Sequence, residues 1–502
     1  MSQLWKSDPG KNSRRSREGF ILQLRLRCLV PRSRVYRTSK TPSSRRKELI
    51  TTEVEQTVAS ESLIPEVTDW QPGGDGILPS QEIRHFIKVG IVSSSREPTD
   101  DQIQPASIDL RLSNEAYRVR ASFLPGKSTT LLNKATSNGM LNQKIDISLP
   151  SLLEPNVIYI IPLMESLNLP DDVYGIANPK STTGRLDIFT RLITEHGDEF
   201  DRVGKGYRGK LYIEVISHTF PVVVRAGLRL NQLRFGRGST DVASDARLKK
   251  LGREDLLIGA DESSGAANID RGVRITVDLV GNGSGIIAYQ ARKCSPPIEL
   301  DKIDYYEIAE FWNPISRERN RSFILEPGEF YILASKQRVR VPPDFAAEML
   351  PYDLATQEFR GHYAGFFDPG FGFGTNGGIP GTRAVLEVRA SEIPILLEDD
   401  QFVGRLNYFS MAATPDKVYG GPIGSSYQQQ GLALSKQFKR ESQFMTGIAP
   451  ISAAEQESQE ALRRRNPSRT QPAAAEDDDD ASILRLAFPD TGAEQRISTK
   501  EL

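Results

Sequence analysis

A mainly β protein built from two tandem domains is what this 502-residue sequence predicts, and three observations predict it. Short apolar runs closed by glycine or proline recur along the chain (40 Gly, 31 Pro), the punctuation of strands and tight turns. A set of landmarks appears twice at one constant spacing. The two ends differ in composition from everything between them.

Residues 1–68 form a basic extension, rich in Arg, Lys and Ser up to Lys47. Its apolar patch Phe20–Val30 is broken by Arg25 and Arg27, a poor secretory core. It reads as a disordered basic arm, a start assigned too early, or an organellar transit peptide, so the expected location is the cytoplasm, with an organelle as the alternative. From 441 to 502, Arg463–Arg465, Pro/Ala and Asp477–Asp480 make a solvated, disordered tail.

Between the ends, residues 69–247 and 269–440 are expected to be two β-domains, joined by a polar linker at 248–268. In the first, Glu154-Pro155 precedes the apolar run Val157–Pro162, and Pro170, Asp172 and Pro179 follow. In the second, Glu326-Pro327 precedes Phe330–Leu333, and Pro342, Asp344 and Pro351 follow. Four landmarks share the offset 172. Lys210–Val215 resembles Ala384–Val388, Phe220–Val224 matches Ile393–Leu397, Leu230–Phe235 matches Phe402–Tyr408, and Ala106–Leu112 corresponds to Val273–Val280. Each unit therefore holds about 170 residues of short strands, the pattern of a sandwich or barrel.

Bulk properties exclude several functions. A formal net charge of -1 gives no global reason to bind nucleic acid. No apolar run approaches a membrane span. Cys28 and Cys294 build neither a disulfide framework nor a Cys-based zinc site, and the four histidines fall in no zinc motif.

Four segments can carry chemistry. Asn178-Pro-Lys-Ser-Thr-Thr-Gly-Arg185 offers Lys180, Ser181, Thr182, Thr183 and Arg185 within eight residues. Cations, hydroxyls and a close-approaching glycine suit a polyphosphate, although the order is not that of a Walker loop. An ordinary helix N-terminus also fits. Glu214 lies inside the apolar strand Leu211–Ile216, where burial raises a carboxyl pKa and suits a general base. Alternatively it alternates outward or pairs with an arginine, but Glu387 recurs at the matching place. The acidic turns Glu199–Asp201 and Phe367–Gly370 offer Asp201 and Asp368 to a sugar hydroxyl, or are plain turns. The Gly-rich arm Tyr419–Gly431, with Tyr427 and Gln430 and then Lys436 and Lys439, is either a lid or a linker.

Together these segments resemble the dCTP deaminase family, relatives of the dUTPases. Gln104-Pro-Ala-Ser-Ile-Asp-Leu-Arg-Leu112 is similar to the family's N-terminal signature. Lys180–Arg185 is similar to its triphosphate loop, Leu211–Val215 to its Glu-bearing strand, and Tyr427–Gly431 to its C-terminal lid. The resemblance spans about Gly76 to Phe438 and matches the long, fused bacterial form. It implies dUTPase-like distorted β-barrels, a homo-oligomer with sites between barrels, and dCTP or dUTP as ligand. The implied reaction is zinc-free hydrolysis of an amidine C–N bond, giving dUTP and ammonia.

By position, the resemblance makes Glu214 the general acid/base, with Ser181 and Arg185 orienting water and stabilising charge. Lys180, Thr182, Thr183 and Arg185 hold phosphates, and Mg²⁺ arrives on the triphosphate without a protein-bound metal. Asp201, Tyr212, Asp368, Tyr427 and Gln430 are the remaining substrate-binding candidates. The second copy departs from the pattern, with Asp353 at the place of Ser181 and Gln357 at that of Arg185. A composite site is therefore expected, with Ser181 and Arg185 from the first domain and Glu387 and the lid from the second. The alternatives are a dUTPase, a bifunctional enzyme that also releases pyrophosphate, and a nucleotide-binding protein without turnover.

Overall fold

The computed structural model describes residues 73–440, apart from 255, 260–266, 282–284, 352–358, 363–364, 375, 391–392, 421–426 and 428–429. Both terminal extensions, and Asp353 and Gln357, lie outside the described residues.

Eleven strands of the first half return as eleven in the second. The first set is β1 (Ile108–Arg111), β2 (Glu115–Val119), β3 (Leu141–Asp146), β4 (Ser151–Leu153), β5 (Ile158–Asn168), β6 (Val173–Pro179), β7 (Ile188–Thr194), β8 (Arg202–Val203), β9 (Arg208–Ser217), β10 (Val222–Val224) and β11 (Arg229–Arg237). The second is β12 (Val273–Thr276), β13 (Ile286–Ala291), β14 (Trp312–Ser316), β15 (Ser322–Leu325), β16 (Phe330–Val339), β17 (Phe345–Pro351), β18 (Phe359–His362), β19 (Phe366–Phe367), β20 (Thr382–Ala390), β21 (Ile395–Glu398) and β22 (Phe402–Ser410).

Pairing repeats as well. The order β3-β2-β5-β9-β7 in one domain is β14-β13-β16-β20-β18 in the other. A second sheet, β1-β11-β6-β8, returns as β12-β22-β17-β19, and β4-β10 returns as β15-β21. β6 and β17 carry the offset 172 at both ends, and β11 and β22 the offset 173. The duplication expected from four landmarks thus extends through the strand topology.

Helices are few. α1 (Ser80–Lys88) buries Ile83 and Phe86, whose ring meets Phe235 edge-on at 5.7 Å. α2 (Leu131–Ser137) lies in the β2–β3 connection, and α3 (Ser181–Gly184) is a single turn after β6. The start of the stretch expected as a polar linker lies in α4 (Asp245–Arg253), capped by Ser244, whose side chain accepts the Arg247 N–H. Leu248, Leu257 and Ile258 anchor this stretch in the second core.

Strand alternation explains which faces meet, because neighbouring residues of a strand point to opposite sides of its sheet. On β16, Tyr331 and Leu333 enter the second core while Phe330 and Ile332 enter the first. Tyr289, Phe311, Trp312 and Phe438 join them there. The second domain's larger sheet is therefore buried on both faces, one by its own core and one by the first domain. On β20, Ala384, Leu386 and Val388 belong to the second core, and Val385 packs against the first. Glu387 and Arg389 share the Val385 parity, which sends them to the domain boundary.

In the first domain the corresponding face of β9 is covered differently. Leu211, Ile213 and Val215 enter the first core. Tyr212 packs with Leu131, Ile160 and Ile193 beneath the β2–β3 connection.

Candidate active site

β6 ends at Pro179, and Lys180 turns the chain into α3 with an extended backbone (ψ 149°). Its N–H donates to the Leu230 carbonyl at 3.0 Å, tying the loop to β11. α3 then presents Ser181 and Thr182 at the mouth of a 300 Å³ cavity. Lys180, Ser181, Thr182 and Arg185 line it from the first domain, and Asp368, Glu387 and Tyr427 from the second. One chain thus brings the cationic hydroxyl loop and a strand carboxylate to the same cleft.

Glu387 is 4% exposed and lies against Gly184, where an added Cβ would stand 2.2 Å from Oε2. Only glycine leaves that space. Arg185, also buried, has Tyr427 stacked on it, with its guanidinium carbon 3.7 Å from the ring centroid. Its Nη1 donates to Gln430 Oε1 at 2.9 Å and to the Ala433 carbonyl at 3.1 Å. Ser435 Oγ donates to the Thr182 carbonyl at 2.9 Å. The C-terminal arm therefore lies across the loop, and Tyr427 is buried against Arg185.

Asp368 is buried beside Arg234, whose guanidinium stands 3.6 Å away and donates to the Phe367 and Ala347 carbonyls. Burial raises the Asp368 pKa, opposed by the Arg234 charge. The Gly365 N–H donates to Asn178 Oδ1 at 2.7 Å, a second tie between this turn and the first domain.

Four candidates lie elsewhere. Glu214 is fully buried but is not in the cavity wall. Arg191 donates to its Oε1 through Nε at 3.0 Å and Nη2 at 2.6 Å, and Phe200 stacks on that guanidinium at 3.7 Å. The arginine partner considered for Glu214 is the arrangement found. Tyr212 donates to Glu195 at 2.7 Å on the same covered face. Asp201 accepts the Leu192 N–H at 2.7 Å, and burial pushes its pKa up to about 7. Thr183 donates to the Leu230 carbonyl at 2.8 Å and faces an adjoining 220 Å³ pocket. The register places Arg191 opposite Glu214 and His362 opposite Glu387, so the two copies differ at the position across from the acid.

Sequence reasoning missed several wall residues. Asp109, Arg229 and Gln232 line the cavity, and Lys180 is ion-paired with Asp109. Asp109 is 1% exposed, inside the apolar run Ala106–Leu112, so the signal that marked Glu214 was present there too. Arg229 and Lys436 join Lys180 at the junction of the two pockets. Burial, then the neighbouring Lys180 charge, lowers the Lys436 pKa. A polyanion would relieve that repulsion.

Known proteins match both halves of the chain. The family model described as the 2'-deoxycytidine 5'-triphosphate deaminase N-terminal domain matches residues 74–239. The model for the C-terminal domain matches 244–438. A dCTP deaminase of Shewanella amazonensis is 27% identical over 180 residues, covering 34% of this chain and 89% of that protein. A Halobacterium salinarum protein, "dCTP deaminase, dUMP-forming", is 29% identical over 154 residues, covering 30% of this chain and 72% of that protein. The crystal structure of 2'-deoxycytidine 5'-triphosphate deaminase from Agrobacterium tumefaciens is 45% identical, with a TM-score of 0.64, covering 70% of this chain and 99% of that one. With both halves matched in order and a solved relative matched along nearly its whole length, the chain belongs to the dCTP deaminase family.

Proposed function

We propose that this chain hydrolyses the C4 amino group of dCTP, giving dUTP and ammonia, at a site composed within one chain by its two domains. The observation that carries it is Glu387 in one cavity wall with Ser181, Arg185 and Lys180. Glu387 takes a proton from water, and the oxygen attacks C4 to form a tetrahedral centre. The carboxyl returns the proton to the amino nitrogen, the C–N bond breaks and ammonia leaves, and the remaining hydroxyl proton ends on N3 as the C4 carbonyl forms. Ser181 orients the water, and Arg185 stabilises developing negative charge in a site closed by Tyr427. Lys180, Thr182, Arg229 and Lys436 hold the triphosphate, and Asp368 accepts from the sugar. Mg²⁺ is part of the substrate, carried by the phosphates.

Each domain is inferred to be a dUTPase-like distorted β-barrel, and the working protein a homo-oligomer. Glu214, neutralised by Arg191, is assigned no part in turnover. The dUMP-forming relative supports a second reading, in which pyrophosphate is also released.

Incubating the purified protein with dCTP, CTP and dUTP, and separating the products by chromatography, tests both readings. Ammonia and dUTP from dCTP support deamination. Pyrophosphate in equal amount supports the bifunctional reading. Saturable dCTP binding without product refutes catalysis.

A further inference from the structure

Two residues beyond Arg185, and two beyond Glu387, a second contact joins the same chain segments. Asp187 is fully buried, and its backbone is left-handed (φ 57°), a conformation that Asp and Asn tolerate better than most residues. Its N–H donates to the Gly184 carbonyl at 2.9 Å, and its own carbonyl accepts the His218 N–H at 2.9 Å. The residue is thereby fixed at the end of α3. Its carboxylate is ion-paired with Arg389 on β20, and Thr219 donates to Oδ2 at 2.6 Å. Arg389 also donates to Thr219 Oγ1 at 3.0 Å and to the Gly328 carbonyl. Arg389 shares the strand face of Glu387, one pleat further along.

We propose that the Asp187–Arg389 ion pair is a positioning device. It sets how far β20 sits from α3, and so where the Glu387 carboxylate stands relative to Ser181 and Arg185. The inference rests on Glu387 being the general base. Glu387 already touches Gly184, so β20 cannot approach further. Apolar packing around Val385 is not directional and does not by itself oppose sliding along the strand. An ion pair that also engages a threonine and a main-chain carbonyl opposes sliding, because its geometry is specific. Misplacement of a reacting group by about 1 Å costs on the order of 100-fold in rate. Neither Asp187 nor Arg389 lines the cavity that holds Ser181 and Glu387, so loss of the pair should spare substrate affinity.

The test uses the full chain. D187N keeps the backbone preference and one acceptor oxygen for Thr219 and Arg389 while removing the charge and turning the other oxygen into a donor. R389Q removes the partner. For both, kcat for ammonia release from dCTP should fall about 10- to 100-fold, with KM within about twofold of wild type. D187N/R389Q should be no slower than the slower single variant, because both changes remove one interaction. E387Q is assayed beside them. Wild-type kcat in D187N and R389Q with E387Q inactive overturns the positioning pair and leaves the base assignment standing. An active E387Q overturns the base assignment itself. A raised KM at unchanged kcat assigns the pair to binding and also overturns the proposal. If R389Q does not fold, R389K keeps the charge without the planar fork. Its kcat should lie between those of wild type and D187N, and wild-type kcat in R389K overturns the proposal.

Discussion

Glu387 and Gly184 touch across the domain boundary, and a methyl group on Gly184 would stand 2.2 Å from the carboxylate oxygen Oε2. The contact brings a second-domain acid against the first-domain turn that carries Ser181. Replacing Gly184 by Ala forces that carboxylate away. Gly184 is not in the left-handed region, so alanine costs little in backbone terms. G184A should therefore fold with a melting temperature near wild type and lose at least about 100-fold in kcat. Paired calorimetry and an ammonia assay check this.

The two copied glutamates should separate cleanly. E387Q removes the proposed base and should lower kcat by three or more orders of magnitude, a rough figure for a group that both activates water and returns its proton. E214Q keeps the shape of a residue held by Arg191 outside the cavity wall, and its kcat should stay within about threefold of wild type. Loss of turnover in E214Q alone would move the active carboxylate to the first domain.

The departures at Asp353 and Gln357 pointed to Glu387 as the glutamate of a composite site, but what keeps Glu214 away from the cleft was not legible from the sequence, and the reason is physical. Both sit at the same parity of equivalent strands, among alternating apolar residues. What differs is the cover. The second domain lays that face against the first, whereas in the first domain the β2–β3 connection with Leu131 lies over it. Arg191 is an ordinary strand residue until pairing sets it opposite Glu214. The repeat itself, Lys180, Ser181, Thr182 and Arg185, and the arm from Tyr427 were legible, because each depends on local spacing and composition. Asp109 and Arg229 reach the cavity from β1 and the start of β11, and only the folded sheet brings them beside Lys180.

Arg191 should matter for stability rather than turnover. R191Q strands the fully buried Glu214 without its cation, a change that costs about 3–5 kcal/mol in comparable buried pairs. R191Q/E214Q removes the orphaned charge and should recover most of that loss. Denaturant unfolding at neutral pH of wild type, both singles and the double measures the coupling. Equal stability of R191Q and wild type would contradict it.

Tyr427 on Arg185 makes a different prediction. The ring covers the guanidinium at 3.7 Å, and its hydroxyl accepts the Lys436 N–H at 3.2 Å. Y427F keeps the stacked ring and should change kcat/KM less than about threefold. Y427A removes a contact worth roughly 1–2 kcal/mol when desolvated, so kcat/KM should fall about 5- to 30-fold. Steady-state kinetics on dCTP distinguishes the two variants, and equal losses would place the contribution in the hydroxyl instead.

Asp201 gives the pH dependence of stability a defined sign. Burial lifts its pKa to about 7 in the folded protein, against an ordinary value of 3.8. A carboxyl raised on folding favours the folded state while it is protonated in both states. That contribution is lost as pH climbs from about 4 through 7, where the unfolded chain ionises first. Above pH 7 the folded protein carries a buried carboxylate whose main compensation is the Leu192 N–H and the nearby Arg191 charge. Asn at 201 keeps an acceptor for that N–H, tolerates φ of 61° and does not ionise. D201N should therefore match wild type within about 1 °C at pH 3, below the unfolded pKa, and melt several degrees higher at pH 8, on the usual conversion of about 1 kcal/mol to 2–4 °C. Melting curves at the two pH values decide it. A D201N that gains nothing over wild type on moving from pH 3 to 8 would mean that Asp201 keeps an ordinary carboxyl pKa in the folded protein, held there by Arg191.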